Sequence, residues 1–314
     1  MNISLKKPML IIDWQSPISH RQFNLNILSL IEQEFDFITY DQGMSKILEE
    51  KKNVRVHVLP DSEKRFHKTA QLISRIGKSK PSKIFFISYD QVFLPLILFT
   101  FWKVEFFLYE HNTVPAWPKK HIKICWQFLF LRGCNRLCQN TAQETYLQKL
   151  YQNAKKIGLP IGERIFKPGR RKQILLPTLR GNDKSERLSW LANRFSSHEI
   201  VVKLGREFTP PSRFPNLTFV ETVDWESNSF NPSAIAIGLG SGIRPSGWFA
   251  EAVMRELWLI PLDDLTRSTF LDMFPNYPFL LLDEKTAQKK MSNFCFKEFK
   301  QHHNHRIVQI LRQM

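Results

Sequence analysis

The chain has 314 residues, 43% of them hydrophobic, with 45 Lys and Arg against 29 Asp and Glu and a formal net charge of +16. That content suffices for two ordinary cores and excludes a disordered or fibrous chain. The charge, spread along the sequence rather than gathered in a tail, points to an anionic partner such as a nucleotide, a nucleic acid or an acidic membrane surface. The four cysteines, Cys125, Cys134, Cys138 and Cys295, form no CxxC pair. Cys134 and Cys138 read as buried thiols in a reducing compartment. The opening MNISLKKPMLIIDW has too short an apolar run for a signal peptide and passes straight into a strand pattern. The most hydrophobic run, Val92 to Trp102, is well below the roughly 20 residues that span a bilayer. A cytoplasmic protein, peripheral at the inner face of the plasma membrane, is expected.

In chain order, Met9 to Trp14 reads as a buried strand, followed by a loop and a helix from about Gln22 to Phe35, with Phe23, Ile27, Leu30 and Ile31 at helical spacing. A loop after the first strand of a parallel sheet lies at its carboxyl edge, where ligands bind. Asp13, Ser16, Ser19, His20 and Arg21 are therefore candidates to hold an acceptor or to act as a base. Strands are expected at Phe37 to Tyr40, Val54 to Leu59, Lys83 to Ser88 and Val104 to Tyr109, with a helix at Arg65 to Ile76 and a fully buried one at Val92 to Trp102. The fourth of these strands delivers Glu110, His111 and Asn112 to its carboxyl end. An acid and an imidazole there could serve as acid or base, or His111 could bind phosphate.

Lys119 to Asn135 reads as an aromatic-rich helix with a basic flank, suited to a core or to an anionic membrane surface through Trp126, Phe128, Lys119, Lys120 and Lys123. A strand at Arg136 to Asn140, a helix at Gln143 to Tyr151 and a strand at Lys156 to Leu159 follow. The composition then changes to GERIFKPGRRK, Gly162 to Lys172, which marks a linker. Two domains follow from it, 1–165 and 166–314, with a long last helix free to cross back to the first.

In the second half, strands are expected at Gln173 to Pro177, Glu199 to Leu204 and Leu217 to Val220, and a helix at Ser185 to Phe195. The most informative run comes next, NPSAIAIGLGSGIRPSGWFAEAVMRELWLIPLDD from Asn231 to Asp264. It reads as a strand to Gly238, a glycine loop, a helix from about Ser246 to Glu256 and a strand from Leu257 to Leu262, a βαβ unit. Gly240, Gly242 and Gly247 let a ligand approach the backbone, Ser246 opens the helix, Arg244 supplies a cation and Glu251 can accept from a sugar or ribose hydroxyl. Neither GxGxxG nor GxxxxGK[ST] is present. A strand at Phe279 to Leu282 ends the sheet, and Thr286 to Met314 is mostly helical, its His302, His303 and His305 read as solvated rather than metal-binding.

Alternating strands and helices on both sides of a charged linker give an α/β chain with two Rossmann-like domains facing a cleft. The chain resembles the GT-B glycosyltransferases, and its C-terminal half is similar to the group 1 (family 4-like) nucleotide-sugar enzymes. The resemblance rests on ILLPTLRGNDKSERL, FPNLTFVETV, SGIRPSGWFAEAV and LYEHN. It implies that Arg180 and Lys184 bind the donor pyrophosphate, that Gly240, Gly242, Arg244, Ser246, Gly247 and Glu251 hold phosphate and sugar hydroxyls, and that His111 lies near the reaction centre. Ile243 stands where the family's first glutamate is expected, which leaves the retaining or inverting outcome open. Asp13, His20, Glu110 and His111 are the choices for an acceptor base. No metal and no cofactor are expected: Asp263 and Asp264 lack a third ligand nearby, and cations with loop N–H groups suit a developing diphosphate charge. The expected donor is a nucleotide sugar and the acceptor a glycan, lipid-linked or part of a lipopolysaccharide or capsule. Two rivals stand beside this reading, a non-catalytic GT-B scaffold of polysaccharide assembly and a basic nucleic-acid-binding protein. The second lacks any reader motif.

Overall fold

The computed structural model describes residues 9–14, 21–90, 92–111, 133–150, 153–165, 167, 169, 171–177, 184–204, 214–227, 229–239, 246–280 and 294–314. The chain divides into two compact units, Met1–Gly162 with Asn304–Met314, and Glu163–His303.

The first unit is built on a seven-stranded, all-parallel sheet of β1 (Met9–Asp13), β2 (Phe35–Thr39), β3 (Val54–Val58), β4 (Lys83–Ser88), β5 (Glu105–Tyr109), β6 (Asn135–Cys138) and β7 (Ala154–Lys156), ordered β3-β2-β1-β4-β5-β6-β7. Strands β1 and β2 are buried at every residue, which is why β1 opens as a continuous apolar run instead of an alternating one, although β2 also buries Asp36 and Thr39. Five helices are described around it: α1 (Arg21–Leu28), α2 (Gln42–Leu48), α3 (Arg65–Ser79), α4 (Leu94–Thr100) and α5 (Thr141–Leu150). One core, on one face, joins Ile11, Phe37, Phe85 and Tyr109 to Ile27 and to Ile307 and Leu311 from the far end of the chain. A second, on the other face, gathers Leu10, Ile12, Phe86 and Leu108 with Leu72, Ile76, Leu94 and Ile97.

Several expectations are corrected. The helix expected to reach Phe35 ends at Leu28, because Phe35 is taken into β2 opposite Met9 and Val54. Ile31 keeps its helical-looking place in the pattern because it is buried in the same core. The run Val92 to Trp102 is not fully buried: α4 packs Leu94, Ile97 and Leu98 inward, but Phe99 is 64% and Trp102 75% exposed. Helix α2 was not foreseen. Its N-cap Asp41 accepts from the Gly43 amide at 2.8 Å, and the Arg21 guanidinium lies so close to Gly43 that an added Cβ would fall 2.6 Å from it. The helix expected at Lys119 to Asn135 lies almost entirely outside the described residues.

The second unit holds a five-stranded parallel sheet, β8 (Arg171–Leu176), β9 (Glu199–Lys203), β10 (Leu217–Val220), β11 (Pro232–Ile237) and β12 (Trp258–Pro261), ordered β10-β9-β8-β11-β12. Its described helices are α6 (Lys184–Arg194), α7 (Trp248–Met254), α8 (Asp264–Met273) and α9 (Phe296–Gln313), the last running on into the first unit. Helix α7 is shorter at both ends than expected and closes with Glu256 at φ 51°, after which Leu257 donates back to Ala252 at 2.8 Å. Of the strand expected at Phe279 to Leu282, the described residues show a single bridge, Leu280 to Leu259. Helix α8, also unforeseen, is capped by Asp263. His303 is not simply solvated: its ring stacks on Phe274 at 4.9 Å, whereas His302 and His305 are exposed.

Candidate functional site

In each sheet the strand order reverses beside the first strand of that unit, between β1 and β4 and between β8 and β11. A crevice opens at the carboxyl ends of the strands at such a switch point, and open α/β sheets bind ligands there.

In the first unit, Asp13 ends β1 and Ser88 ends β4, with a register slip between Ile12 and Asp13 that sets Asp13 opposite Ser88. Asp13 is 1% exposed, accepts from Asn24 Nδ2 at 2.6 Å, and also accepts the Ser88 hydroxyl. Ser88 Oγ in turn accepts the Trp14 amide at 2.8 Å. This carboxylate therefore ties β1, β4 and α1 together. Two strands along, Glu110 follows β5 and is 3% exposed. It forms an ion pair with the equally buried Arg136 of β6 and accepts the Tyr89 hydroxyl at 2.8 Å. Both carboxylates are committed to protein partners, an arrangement that suits building the sheet edge rather than taking a proton from a substrate.

His111 stands one residue beyond Glu110 at the same edge. Its half-buried ring meets Phe23 edge-on at 4.3 Å and tilts against Tyr109 at 4.9 Å, and Tyr109 is itself anchored by its hydroxyl to the Gly158 carbonyl at 2.8 Å. The imidazole is thus oriented by aromatic walls at the carboxyl edge. Arg21 starts α1, and its guanidinium grips Asp41 through two 2.7 Å bonds. That bond pattern holds the Asp41 carboxyl below the ordinary carboxylate range. Ser16, Ser19, His20 and Asn112 lie outside the described residues.

In the second unit, β8 and β11 are paired neighbours, so the segments leaving them start from one point of the carboxyl edge. Arg180, Gly240, Gly242 and Arg244 belong to those segments and lie outside the described residues. Lys184 opens α6, and Ser246 and Gly247 lead into α7, with the Ser246 carbonyl accepting from the Phe249 amide at 3.0 Å. Glu251 is engaged within its own helix, accepting from Arg255 Nε at 2.9 Å. The Arg255 guanidinium lies 3.8 Å from the centre of the Trp225 ring. Trp225 also approaches Trp248, whose ring faces Lys203 at 5.9 Å. The loop bearing Trp225 is fixed from behind by Lys167, which donates to the carbonyls of Trp225, Ser227 and Phe230 at 2.7–3.1 Å.

Sequence reasoning missed Arg187. This side chain rises from the first turn of α6, donates to Asp263 at 2.7 Å, and lies so close to Gly238 that a Cβ there would fall 2.8 Å from its Nη1. Asp263 also accepts from the amide and hydroxyl of Thr266, both at 2.6 Å, and Thr266 Oγ1 accepts the Leu239 amide at 2.9 Å. The segment leaving β11 is thereby tied to the N-cap of α8 and to the first turn of α6. Only the residue types, an Arg one turn after Lys184 and a glycine at a strand end, signalled it. Asp263, considered in sequence only as a metal ligand, is this cap. Among the described residues no three His, Cys, Asp or Glu side chains are grouped to hold a metal ion.

No protein-family model and no curated protein matches this sequence. Solved structures match it in shape. Anabaena HepE in complex with UDP-glucose superposes with a TM-score of 0.59 at 8% identity, covering 98% of this chain and 100% of that one. Sucrose-phosphate synthase from Thermosynechococcus elongatus gives 0.53 at 11% identity, with coverage of 98% and 100%. A glycosyltransferase from Rickettsia africae gives 0.52 at 10% identity, with coverage of 98% and 99%. Two all-parallel sheets with central switch points, matched over nearly the whole length by these structures, identify the fold of this chain as the two-domain, Rossmann-like GT-B fold.

Proposed function

We propose that the chain is a metal-independent glycosyltransferase that moves a sugar from a nucleotide-sugar donor to a glycan acceptor, in the synthesis of a lipid-linked or surface polysaccharide at an anionic membrane face. The observation that carries the reading is the pairing of β8 with β11, which starts the Arg180–Lys184 segment and the glycine segment from one point of the carboxyl edge. The match to a UDP-glucose-bound structure supports it. In this reading Arg180, Lys184, Arg244 and the N–H groups of Gly240, Gly242, Ser246 and Gly247 stabilise the charge that develops on the leaving diphosphate. Glu251, oriented by Arg255, accepts from sugar or ribose hydroxyls. His111 is the acceptor base if the reaction inverts, with His20 the other imidazole of that edge, and Asp13 and Glu110 support the edge from within.

A thermal-shift screen against UDP-, GDP-, ADP-, dTDP- and CMP-linked sugars tests this. One nucleotide class at about 100 times its dissociation constant adds roughly 2.7 kcal/mol of stability, and Arg180→Ala and Glu251→Ala each weaken the shift. No shift with any donor overturns the reading in favour of a non-catalytic scaffold.

A further inference from the structure

Arg21 opens α1 at the carboxyl edge of the first sheet, and its contacts use only one side of the guanidinium. The side-on fork, Nε and Nη2, donates to Asp41 Oδ2 and Oδ1 at 2.7 Å each. A guanidinium has a second pair of parallel N–H groups, end-on, at Nη1 and Nη2. Among the described residues no acceptor pairs with that second fork. The Arg21 side chain is 38% exposed and that of Asp41 only 2%, so the fork in use faces the protein and the second one faces water.

Two features keep this second fork fixed and charged. A Cβ at Gly43 would fall 2.6 Å from Nη2, so the guanidinium occupies a place that a glycine leaves open. The Asp41 carboxylate also accepts the Gly43 amide at 2.8 Å, so its charge is shared with the first turn of α2 and does not fully neutralise Arg21. A cation already ordered by a buried partner loses little freedom on taking a ligand. The location matters as well. The helical turn that Arg21 opens also carries Phe23, which meets the His111 ring at 4.3 Å, and Asn24, which donates to Asp13 at 2.6 Å. No acid stands in that first turn, so the helix end does not repel an anion.

We propose that the acceptor sugar carries a negative charge, a carboxylate or a phosphate, and that Arg21 receives it on its end-on fork. A neutral hydroxyl would engage one of the two parallel donors, whereas the paired oxygens of an anion match both. Arg21 thereby selects an acidic acceptor, on the same turn of α1 that supports His111. The inference deepens the proposed function and rests on its reading of the first unit as the acceptor-binding one.

The test is ligand-observed NMR titration of the full chain, with no nucleotide sugar present, using methyl β-glucuronide, glucose 1-phosphate and the neutral methyl β-glucoside. At least one anionic probe is expected to bind about ten-fold or more tightly than the glucoside, and which one does so separates carboxylate from phosphate. Arg21→Lys can still pair with Asp41 but has no second fork, and it lowers that affinity at least about ten-fold while leaving the glucoside unchanged. Arg21→Met with Asp41→Asn removes both charges, keeps a competent cap on α2 and has the same effect. Thermal unfolding verifies that each variant is folded. A parent that binds neither anionic probe better than the glucoside overturns the proposal, as does a folded variant that binds them like the parent. Arg180→Ala is expected to leave this binding unchanged; loss with Arg180→Ala and not with Arg21→Lys assigns the anion to the donor segment and overturns the proposal too. A donor-induced thermal shift that persists when the anionic probes fail leaves the transferase reading intact, so the two fail separately.

Discussion

Replacing Glu110 by glutamine removes one charge from a pair whose two side chains are each only 3% exposed. Water cannot screen the guanidinium left behind, and breaking such a pair from one side costs about 3–5 kcal/mol. An exposed pair such as Arg312–Glu32, at 60% and 64%, is worth less than about 1 kcal/mol. In a unit of this size each kcal/mol moves the midpoint by about 2–4 °C, so Glu110→Gln is expected to lower the unfolding transition of the first unit by roughly 10 °C. Differential scanning calorimetry resolves it from the transition of the second unit. Adding Arg136→Met to Glu110→Leu removes both charges, and most of the lost stability returns because a neutral packed pair carries no desolvation cost. Donor-dependent turnover, assayed well below the lowered midpoint, keeps its pH profile. A midpoint within about 2 °C of the parent refutes the buried-pair argument. Lost turnover at unchanged stability returns Glu110 to the list of bases.

Three further outcomes are expected. Arg255→Ala removes a contact to Trp225 and the ion pair to Glu251, at a cost of about 1 kcal/mol in urea unfolding, with a change in tryptophan emission. Ile307→Ala, at a site with 0% exposure in the first core, costs about 2–5 kcal/mol, and calorimetry shows the loss in the first unit's transition although residue 307 follows the whole second unit. For Asp41, the bonds from Arg21, and then those from the Gly43 and Met44 amides, hold the folded carboxyl below its unfolded value. The unfolded chain therefore takes up the proton first, and the contribution is full above a pH of about 4 and vanishes as pH falls through the folded pKa. Asp41→Asn keeps a competent helix cap but loses this acid-side slope, and Asp41→Ala loses the cap as well, at about 1 kcal/mol at neutral pH.

The strands were the legible part of this sequence. Runs such as Ile84 to Ile87 and Ile235 to Ile237 carry their own signal, because a strand buried on both faces of a parallel sheet reads as an apolar run. Helix α2 was not legible, since QGMSKIL offers just two buried positions and its cap works through Arg21, twenty residues away. The candidate site divides the same way. His111 could be placed at the carboxyl edge of its sheet by counting from the end of β5. The roles of Asp13 and Glu110 depend on Ser88 and Arg136, 75 and 26 residues distant, and no local pattern announces such partners. Arg187 was hidden for the same reason, its meaning set by Gly238 and Asp263.

The last helix changes allegiance part way along, with residues up to His303 in the second unit and Asn304 onward in the first. At the changeover Asn304 grips both backbone groups of Ile161, accepting from its N–H at 3.1 Å and donating to its C=O at 2.8 Å. Beyond it, Ile307, Ile310, Leu311 and Met314 fill the first core. On the ribosome, then, the domain begun first is finished last. At roughly 5–20 residues per second, translating the second unit, Glu163–His303, takes about 7 to 28 seconds, and for that interval the first core lacks Ile307, Ile310, Leu311 and Met314.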